Sequence, residues 1–523
     1  MFHYIQKFKW HNALLFVIIL FWAGINVVSS LVLTWLLDAI IDGKWQTFLF
    51  WATMDVLCWV IYSFLQATKD TFKERIIQNQ LNTIREGILD DLTHKPYDQV
   101  KANSKETYSS WLVNDMTLLH DNGFIQFYGA VESVVTVLLN AFAIIYFHWL
   151  LLVVSIFMTA FVYFAPQFFE KRIAKATQDV SDFSNQALGK TTDFFNGFEV
   201  FYHNNQGNYF KTQILNSFKA LINPKVTLAR LSATANSISM MASIIAQVVM
   251  FIVTGYLIIH GEVTTGVIFS IANLTSCLFN YTRGAAYNIV TFKGTFKLMD
   301  KYHSHQAIPE GSTAPVKDFT TAIETKNLVM PFEDGHTLTF PDFVIKKGEK
   351  VAIVGDSGSG KSTLVHLLMG NMRNYEGDIF IEQANYRDVT IQSLQDIIAL
   401  IRQEAYVFHE SLSDNLKIGR DIPDQLFDQT LKTSLVDSFA RDRLETVFDD
   451  NFSGGQKARL SIARELMGDK PILIMDESTA NLDKQTAFQI EQNILSNPTL
   501  TVIMITHHLY DESRDLLDQI IQL

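Results

Sequence analysis

Residues with chemistry to offer gather in the last third of the chain. The run Gly355-Asp356-Ser357-Gly358-Ser359-Gly360-Lys361-Ser362 spaces its glycines so that main-chain N–H groups can wrap closely around phosphate oxygens. Lys361 would neutralise the β- and γ-phosphates, the Ser362 hydroxyl would ligate Mg²⁺, and Thr363 continues into the helix whose N-terminus adds its positive dipole end. Asp476 and Glu477 close the apolar run Pro471-Ile472-Leu473-Ile474-Met475. At such a strand end Asp476 can hold Mg²⁺ and Glu477 can polarise an attacking water as general base. Adjacent acids after a strand also occur as a solvated turn, but a glycine-rich phosphate loop upstream in the same domain makes them one site. A further turn, Phe452-Ser453-Gly454-Gly455-Gln456, offers a second helix N-terminus to an anion, and its own chemistry does not say whose phosphate it binds.

These groups need rigid supports. Val351–Val354 reads as a short buried strand entering the loop, Thr363–Met369 as the helix leaving it, and Lys457–Met467 as the helix behind the serine-glycine turn. From Ala322 onward strands and helices alternate, which predicts an α/β P-loop NTPase domain over 322–523. Residues 303–321, with Pro309, Gly311 and Pro315, read as a linker. The first 302 residues differ, with six apolar stretches near 13–37, 48–68, 125–147, 149–168, 235–259 and 264–290. About 20 helical residues cross a ~30 Å hydrocarbon layer. A soluble helix needs one apolar stripe, whereas Ala13–Phe21 and Leu150–Phe157 are apolar on nearly every face. The first stretch also runs past the ~7–15 apolar residues of a signal peptide. The fold class expected is an all-α six-helix membrane domain over 1–302 fused to the α/β domain.

Basic residues orient the chain. The connection after the second stretch carries Lys69, Lys73, Arg75, Arg85, Lys95, Lys101 and Lys105, and the one after the fourth carries Lys171, Arg172, Lys175, Lys190, Lys211, Lys219, Lys225 and Arg230. The remaining connections hold only Lys44. The positive-inside bias puts both termini, both long connections and the α/β domain on the cytoplasmic side of a cell membrane. Helix-compatible runs, Phe72–Leu92 and Arg172–Phe195, predict that the spans continue as helices beyond the bilayer, with tips near Lys95–Tyr108 and Asn196–Gly207. A net charge of −12 argues against a nucleic-acid partner. Cys58 and Cys277 lie in apolar runs and form neither a disulfide framework nor a zinc site. Asn26, Glu132, Asn140, Asn236, Gln247, Asn280 and Arg283 are candidate pathway residues. A charge at the bilayer centre costs ~2.5–3.5 kcal/mol, so Glu132 and Arg283 are expected to face protein or water. Substrate contact, interhelical bonding and a position near the cytoplasmic end all account for them.

Taken in order, these motifs resemble those of the ATP-binding cassette transporters, and the whole chain is similar to an exporter-type half-transporter, six spans followed by one nucleotide-binding domain. The resemblance implies that Ser453, Gly454, Gly455 and Gln456 are the signature facing a γ-phosphate held by a partner subunit. It implies that Gln403, in Arg402-Gln403-Glu404, reaches Mg²⁺ and senses the membrane domain. Asp483, in Ser478-Thr479-Ala480-Asn481-Leu482-Asp483, matches the loop crossing between two sites, and His507, in Ile505-Thr506-His507-His508, the histidine that contacts γ-phosphate. Phe332 stands where a tyrosine usually stacks on adenine, keeping the ring face and losing the hydroxyl. A plain surface glutamine, a strand-end histidine and a core phenylalanine are the alternatives for Gln403, His507 and Phe332. The chain departs from the pattern at Phe452, usually leucine, and in a segment, Glu445-Thr446-Val447-Phe448-Asp449-Asp450-Asn451, that reads as shortened. It also reaches Ile520-Ile521-Gln522-Leu523 soon after His507, where the usual closing strands are expected to be missing. The resemblance further implies an ATP hydrolase using ATP and Mg²⁺, paired with a second half-transporter subunit in a homodimer or heterodimer. The tips that couple the domains are expected at Tyr108–Asp115 and within Phe195–Phe210. Export of a small amphipathic or hydrophobic compound or a peptide leads. Import of a metal chelate and a membrane-anchored regulatory ATPase remain open.

Overall fold

In the computed structural model, described over residues 1–95, 97–101, 103, 105–296, 316, 318–332, 335–356, 358–447, 452–507 and 511–523, the chain packs as two units. One comprises Met1–Asp90 with Lys105–His305, the other Asp91–Ser104 with Gln306–Leu523. Of the residues named above, Pro309, Gly311, Pro315, Ser357, Phe448, Asp449, Asp450, Asn451 and His508 lie outside the described residues.

The first unit is helical. The apolar stretches fall in helices Lys9–Ile41, Trp45–His94, Ile125–Phe147, Trp149–Phe164, Gly207–Ile259 and Val267–Gly294. Among the described residues, five helices are long and apolar enough to cross a membrane. Val267–Gly294 is not among them, because Ser270, Asn273, Asn280, Arg283 and Asn288 punctuate it. Its polar groups instead bond across helices, as bundle interiors in lipid require. The Thr34 and Ser270 hydroxyls are 2.5 Å apart and buried, Gly266 N donates to Asp38 Oδ1 at 2.7 Å, and Gln247 Nε2 donates to the Ala272 carbonyl at 3.2 Å. Ile144, Leu151, Ala246, Met250, Ile271 and Leu274 close the interior, while Phe142, Phe157 and Ile252 point outward.

Two expectations change here. Tyr108–Asp115 is not a tip: it lies on the returning helical run, where Trp111–Asp115 forms a π-helical turn with Trp111 and Asp115 buried. The tip helix is Tyr97–Lys101, which belongs to the second unit. Lys69, counted above with a basic connection, is buried in the bundle, its ammonium 2.7 Å from Glu132 Oε1. As expected of charges in this part of the chain, Glu132 faces protein, while Arg283 reaches Ser239 Oγ at 3.5 Å and is otherwise exposed. On the far connection, helix Glu170–Asn196 leads to a short helix Phe198–His203 and a turn through Asn205, close to the second expected tip.

The second unit holds two sheets. An antiparallel one joins β1 (Ala322–Pro331), β2 (Thr337–Thr339), β3 (Phe343–Lys346), β5 (Glu376–Ile381) and β6 (Ala384–Asn385). A parallel one runs β10-β4-β9-β8-β7, with β4 Lys350–Val354, β7 Ile398–Ile401, β8 Ile472–Asp476, β9 Thr501–Thr506 and β10 Gln519–Gln522. Strands β4, β8 and β9 are buried along nearly their whole length, so their continuous Val/Ile/Leu runs fit a parallel sheet covered on both faces. The last residues, where the sequence suggested missing strands, add β10 in parallel to β4.

Candidate functional site

Strand register assembles the site. Val354 pairs with Thr506 across β4 and β9, and Asp476 with Ile505 across β8 and β9. Three neighbouring strands therefore end side by side and release Gly355, His507 and Glu477 at the carboxyl edge of the sheet, where open α/β sheets take ligands.

The loop after β4 needs its glycines. Gly358 and Gly360 have φ of +86° and +95°, a region that L side chains rarely adopt. A Cβ at Gly355 would sit 2.6 Å from Ser359 Oγ and 3.1 Å from the Leu523 carbonyl oxygen. Helix Lys361–Leu368 follows and turns the Lys361 side chain back into the loop. Its ammonium donates to the Gly355 and Asp356 carbonyls at 2.7 Å each and reaches His507 Nδ1 at 3.2 Å. The buried Ser359 hydroxyl has no partner among the described residues. A ring of main-chain groups around a buried ammonium, with an unmatched hydroxyl beside it, suits a polyphosphate, which would take over the bonds Lys361 makes to its own loop.

Glu477 is held from both sides. Its Oε2 accepts from Gln403 Nε2 at 2.8 Å, and its Oε1 lies 2.6 Å from His507 Nε2. Because Nε2 faces a carboxylate and Nδ1 faces an ammonium, the consistent tautomer of a neutral His507 carries its proton on Nε2. A continuous chain Gln403–Glu477–His507–Lys361 results. Glu477 itself has φ of +46°, and its N–H donates to the Ile505 carbonyl at 2.9 Å. A non-glycine residue in this conformation costs of order 1 kcal/mol and persists only when surroundings over-determine it. Burial first, then Glu477, raises the carboxyl of Asp476 above the usual aspartate range, with Arg402, Lys361 and His507 opposing. A divalent cation would reverse that direction. Among the described residues no group of three or more His, Cys, Asp or Glu side chains is arranged to hold a metal ion by itself. The oxygens of Ser362, Gln403 and Asp476 fit an ion such as Mg²⁺, which keeps several waters and takes phosphate oxygens.

A second group lies apart. Ser453 caps helix Gly454–Leu466, accepting from Gln456 N at 3.2 Å while Gln456 Oε1 accepts from Ser453 N at 2.9 Å. Asp483 caps helix Lys484–Leu495 through Thr486 N at 3.0 Å, bonds that hold its exposed carboxyl below the usual range. Gly455 packs on the loop before it, since a Cβ there would be 3.5 Å from the Asn481 carbonyl oxygen. Thr479 is tied to buried Glu491 at 2.7 Å. Among the described residues no hydrogen bond or ion pair joins Ser453–Gln456 to the loop at Gly355–Ser362. Phe332 stands at the β1–β2 turn, where its N–H donates to His336 O at 2.8 Å, and is half-buried against the core.

The sequence did not reveal one neighbour of the site. Tyr97, on the short helix Tyr97–Lys101, accepts from Arg402 Nη2 at 2.9 Å through its hydroxyl. Its ring stacks on His366 at 5.7 Å. His366 lies on the helix that starts at Lys361, and Arg402 precedes Gln403, so one tyrosine touches two arms of the site. No motif flags a lone tyrosine after Pro96.

The family model for the ABC transporter transmembrane region matches residues 13–282, and that for the ABC transporter domain matches residues 338–480. The ABC transporter ATP-binding protein YwjA of Bacillus subtilis (strain 168) is 28% identical over 465 residues, 82% of this chain and 76% of that protein. The β-(1→2)glucan export ATP-binding/permease protein NdvA of Rhizobium etli is 30% identical over 316 residues, 56% of this chain and 53% of its own length. The ATP-dependent lipid A-core flippase of Desulfotalea psychrophila is 31% identical over 272 residues, so the chain spans about half the length of these two relatives (46% for the flippase). In fold, the structure of a bacterial Atm1-family ABC exporter with ATP bound matches with a TM-score of 0.81 at 18% identity, covering 99% of this chain and 93% of that one. A phosphate loop at the edge of a parallel sheet, apolar helices ahead of it, and family models covering both parts lead to one conclusion: the chain belongs to the ABC transporter family, with a transmembrane region and an ATP-binding domain that couples ATP hydrolysis to transport.

Proposed function

We propose that this chain is one half of a dimeric exporter in which two ATP-binding domains sandwich nucleotide and drive an amphipathic or hydrophobic cargo, or a peptide, across the membrane. The observation that carries the reading is the split within one chain. The Gly355–Ser362 loop, Gln403, Glu477 and His507 are joined by hydrogen bonds, whereas the Ser453–Gln456 turn forms a separate, exposed helix start. A second copy, or a homologous subunit, supplies the missing helix terminus to each phosphate loop. The name of the glucan exporter supports outward transport, and that of the lipid A-core flippase an amphipathic cargo.

In this reading the loop N–H groups and Lys361 bind the phosphates, and the half-buried ring of Phe332 offers a face to adenine. Ser362, Gln403 and Asp476 would hold Mg²⁺, which screens phosphate charge when bound. Glu477 accepts the proton of the attacking water, and its carboxylate is aimed by the Gln403 amide and His507. His507 gives up its contact with Lys361 and turns a donor toward the γ-phosphate. Ser453 and the first N–H groups of its helix stabilise the same phosphate from the partner subunit, with Asp483 shaping the crossing loop between sites. Tyr97–Lys101 carries the motion, because the helix Trp45–His94 leads directly into it. Residues 1–302 form the membrane domain and 322–523 the ATP-binding domain, with both termini cytoplasmic as the basic residues favour.

The test uses the full chain in inside-out vesicles. Candidate amphiphiles that stimulate ATP hydrolysis should accumulate in the lumen with ATP and not in Glu477→Gln vesicles. Efflux from the lumen would favour import, and vigorous hydrolysis without flux for any stimulating compound would favour a regulatory ATPase.

A further inference from the structure

Lys69 is 1% exposed, although its neighbours in sequence read as a basic connection. Its ammonium meets Glu132 Oε1 at 2.7 Å and Gln66 Oε1 at 3.3 Å. It also lies 3.6 Å from the centroid of the Trp22 ring, far inside the ~6 Å over which a cation is drawn to an aromatic face. Trp22 stacks on Tyr62 with centroids 5.1 Å apart and meets Tyr281 edge-on at 6.3 Å. These side chains come from separate membrane helices: Trp22 from Lys9–Ile41, Tyr62 and Lys69 from Trp45–His94, Glu132 from Ile125–Phe147 and Tyr281 from Val267–Gly294.

We propose that Trp22, Tyr62, Tyr281 and Glu132 form a binding site for an amphipathic organic cation, an amine or quaternary ammonium head on an apolar body, which Lys69 fills in this conformation. The Glu132 carboxylate and the face of Trp22 place negative potential at one position, which stabilises a cation and repels an anion, while Tyr62 and Tyr281 pack against Trp22 and offer apolar surface beside it. Lys69 gains from the Trp22 face as any cation would, so the position favours a positive charge rather than one particular side chain. Lys69 can also leave without being stranded. Asp70 Oδ1 is 3.9 Å from its ammonium, half-exposed and already bonded to Lys73 at 3.0 Å. Rotation of the long lysine stem exchanges Glu132 for Asp70, and an incoming cation keeps Glu132 paired. The buried charge is the same before and after.

The inference deepens the transport reading by naming a cargo class, but binding without ATP tests the site alone. The probe is tetraphenylphosphonium, with tetraphenylborate as the same shape of opposite charge. Equilibrium binding is measured on the full chain in phosphatidylglycerol nanodiscs, with empty discs subtracted. Lys69→Met should bind the cation at least tenfold more tightly than the wild type, because the resident ammonium is gone. Adding Glu132→Gln or Trp22→Leu to Lys69→Met should reverse the gain, and tetraphenylborate should not follow it. Where Lys69→Met alone does not assemble, the uncharged pair Lys69→Met/Glu132→Gln is compared with wild type and should bind at least tenfold more weakly. Equal cation affinity in those proteins, or borate binding that tracks phosphonium, overturns the site. Competition by added phosphatidylcholine would mark a lipid headgroup as the source of the cation, and its absence a free amphiphile. Hydrolysis is measured in the same preparations: lost ATP turnover with retained binding counts against the transport reading and leaves the site standing.

Discussion

Glu477→Gln probes the site more sharply than its loss of charge alone would indicate. The carboxylate accepts from Gln403 Nε2 at one oxygen and faces His507 Nε2 with the other. An amide keeps one acceptor and places an N–H₂ against one of two donors. The cheapest relief is at the histidine. If the new N–H₂ faces Nε2, the ring accepts there, its proton moves to Nδ1, and Nδ1 donates to the Gly355 carbonyl, which lies 3.3 Å away. Lys361 then loses an acceptor 3.2 Å from its ammonium but keeps two carbonyls at 2.7 Å. Nucleotide binding should therefore survive. Removing a general base slows the chemical step by ~10²–10⁴, or about 2.7–5.4 kcal/mol at 1.36 kcal/mol per decade. Phosphate release on purified full-length protein measures the rate, and ¹⁵N-labelled histidine reports the tautomer. Release within threefold of wild type refutes the role of Glu477. A slowed enzyme whose His507 keeps its Nε2 proton refutes the hydrogen-bond reasoning while leaving the base in place.

Other outcomes follow from named contacts. Lys361→Ala should abolish measurable turnover and weaken ATP binding by at least tenfold in a filter-binding assay. Because Glu477 adopts φ of +46°, Glu477→Gly should be more stable than Glu477→Ala by about 1 kcal/mol, ~2–4 °C in a melt of a domain this size, although both are inactive. Tyr97→Phe removes the Arg402 bond and leaves the His366 stack; a net loss of ~0.5–1.5 kcal/mol should speed amide exchange in Tyr97–Lys101 roughly two- to tenfold. Burial, then Lys101 and Arg402, lower the pKa of His366 in the folded state. An unfolded histidine near 6.5 therefore binds protons first, so stability should rise with pH across the window below about 6.5 and be lost on acidification. His366→Gln should flatten that slope in a series of melts.

Much of this was legible in the chain, for identifiable reasons. The phosphate loop needs glycines at fixed places, and the strands behind it carry unbroken apolar runs, so Gly355–Ser362, Asp476 and Glu477 stand out before any coordinates. Membrane helices announce themselves by length and apolarity, Val267–Gly294 least strongly, because polar residues such as Ser270, which meets Thr34 on another helix, punctuate it. Contacts between distant residues were the part that sequence hid. Lys69 counts as a cytoplasmic charge until Glu132, on another helix, appears 2.7 Å away. Tyr108–Asp115 resembled the family's coupling tip, but a π-helical turn carries Trp111 inward, and it is Tyr97 that meets Arg402. The strained backbone of Glu477 has no sequence signature, since glutamate is an ordinary residue everywhere else.

The central claim is that one chain cannot complete its own hydrolytic site, and counting subunits tests it most directly. Nanodiscs carrying a single copy, separated by mass from those carrying two, should bind ATP and release essentially no phosphate, while two-copy discs turn over. Single-copy discs that hydrolyse ATP at the two-copy rate per chain would contradict the account.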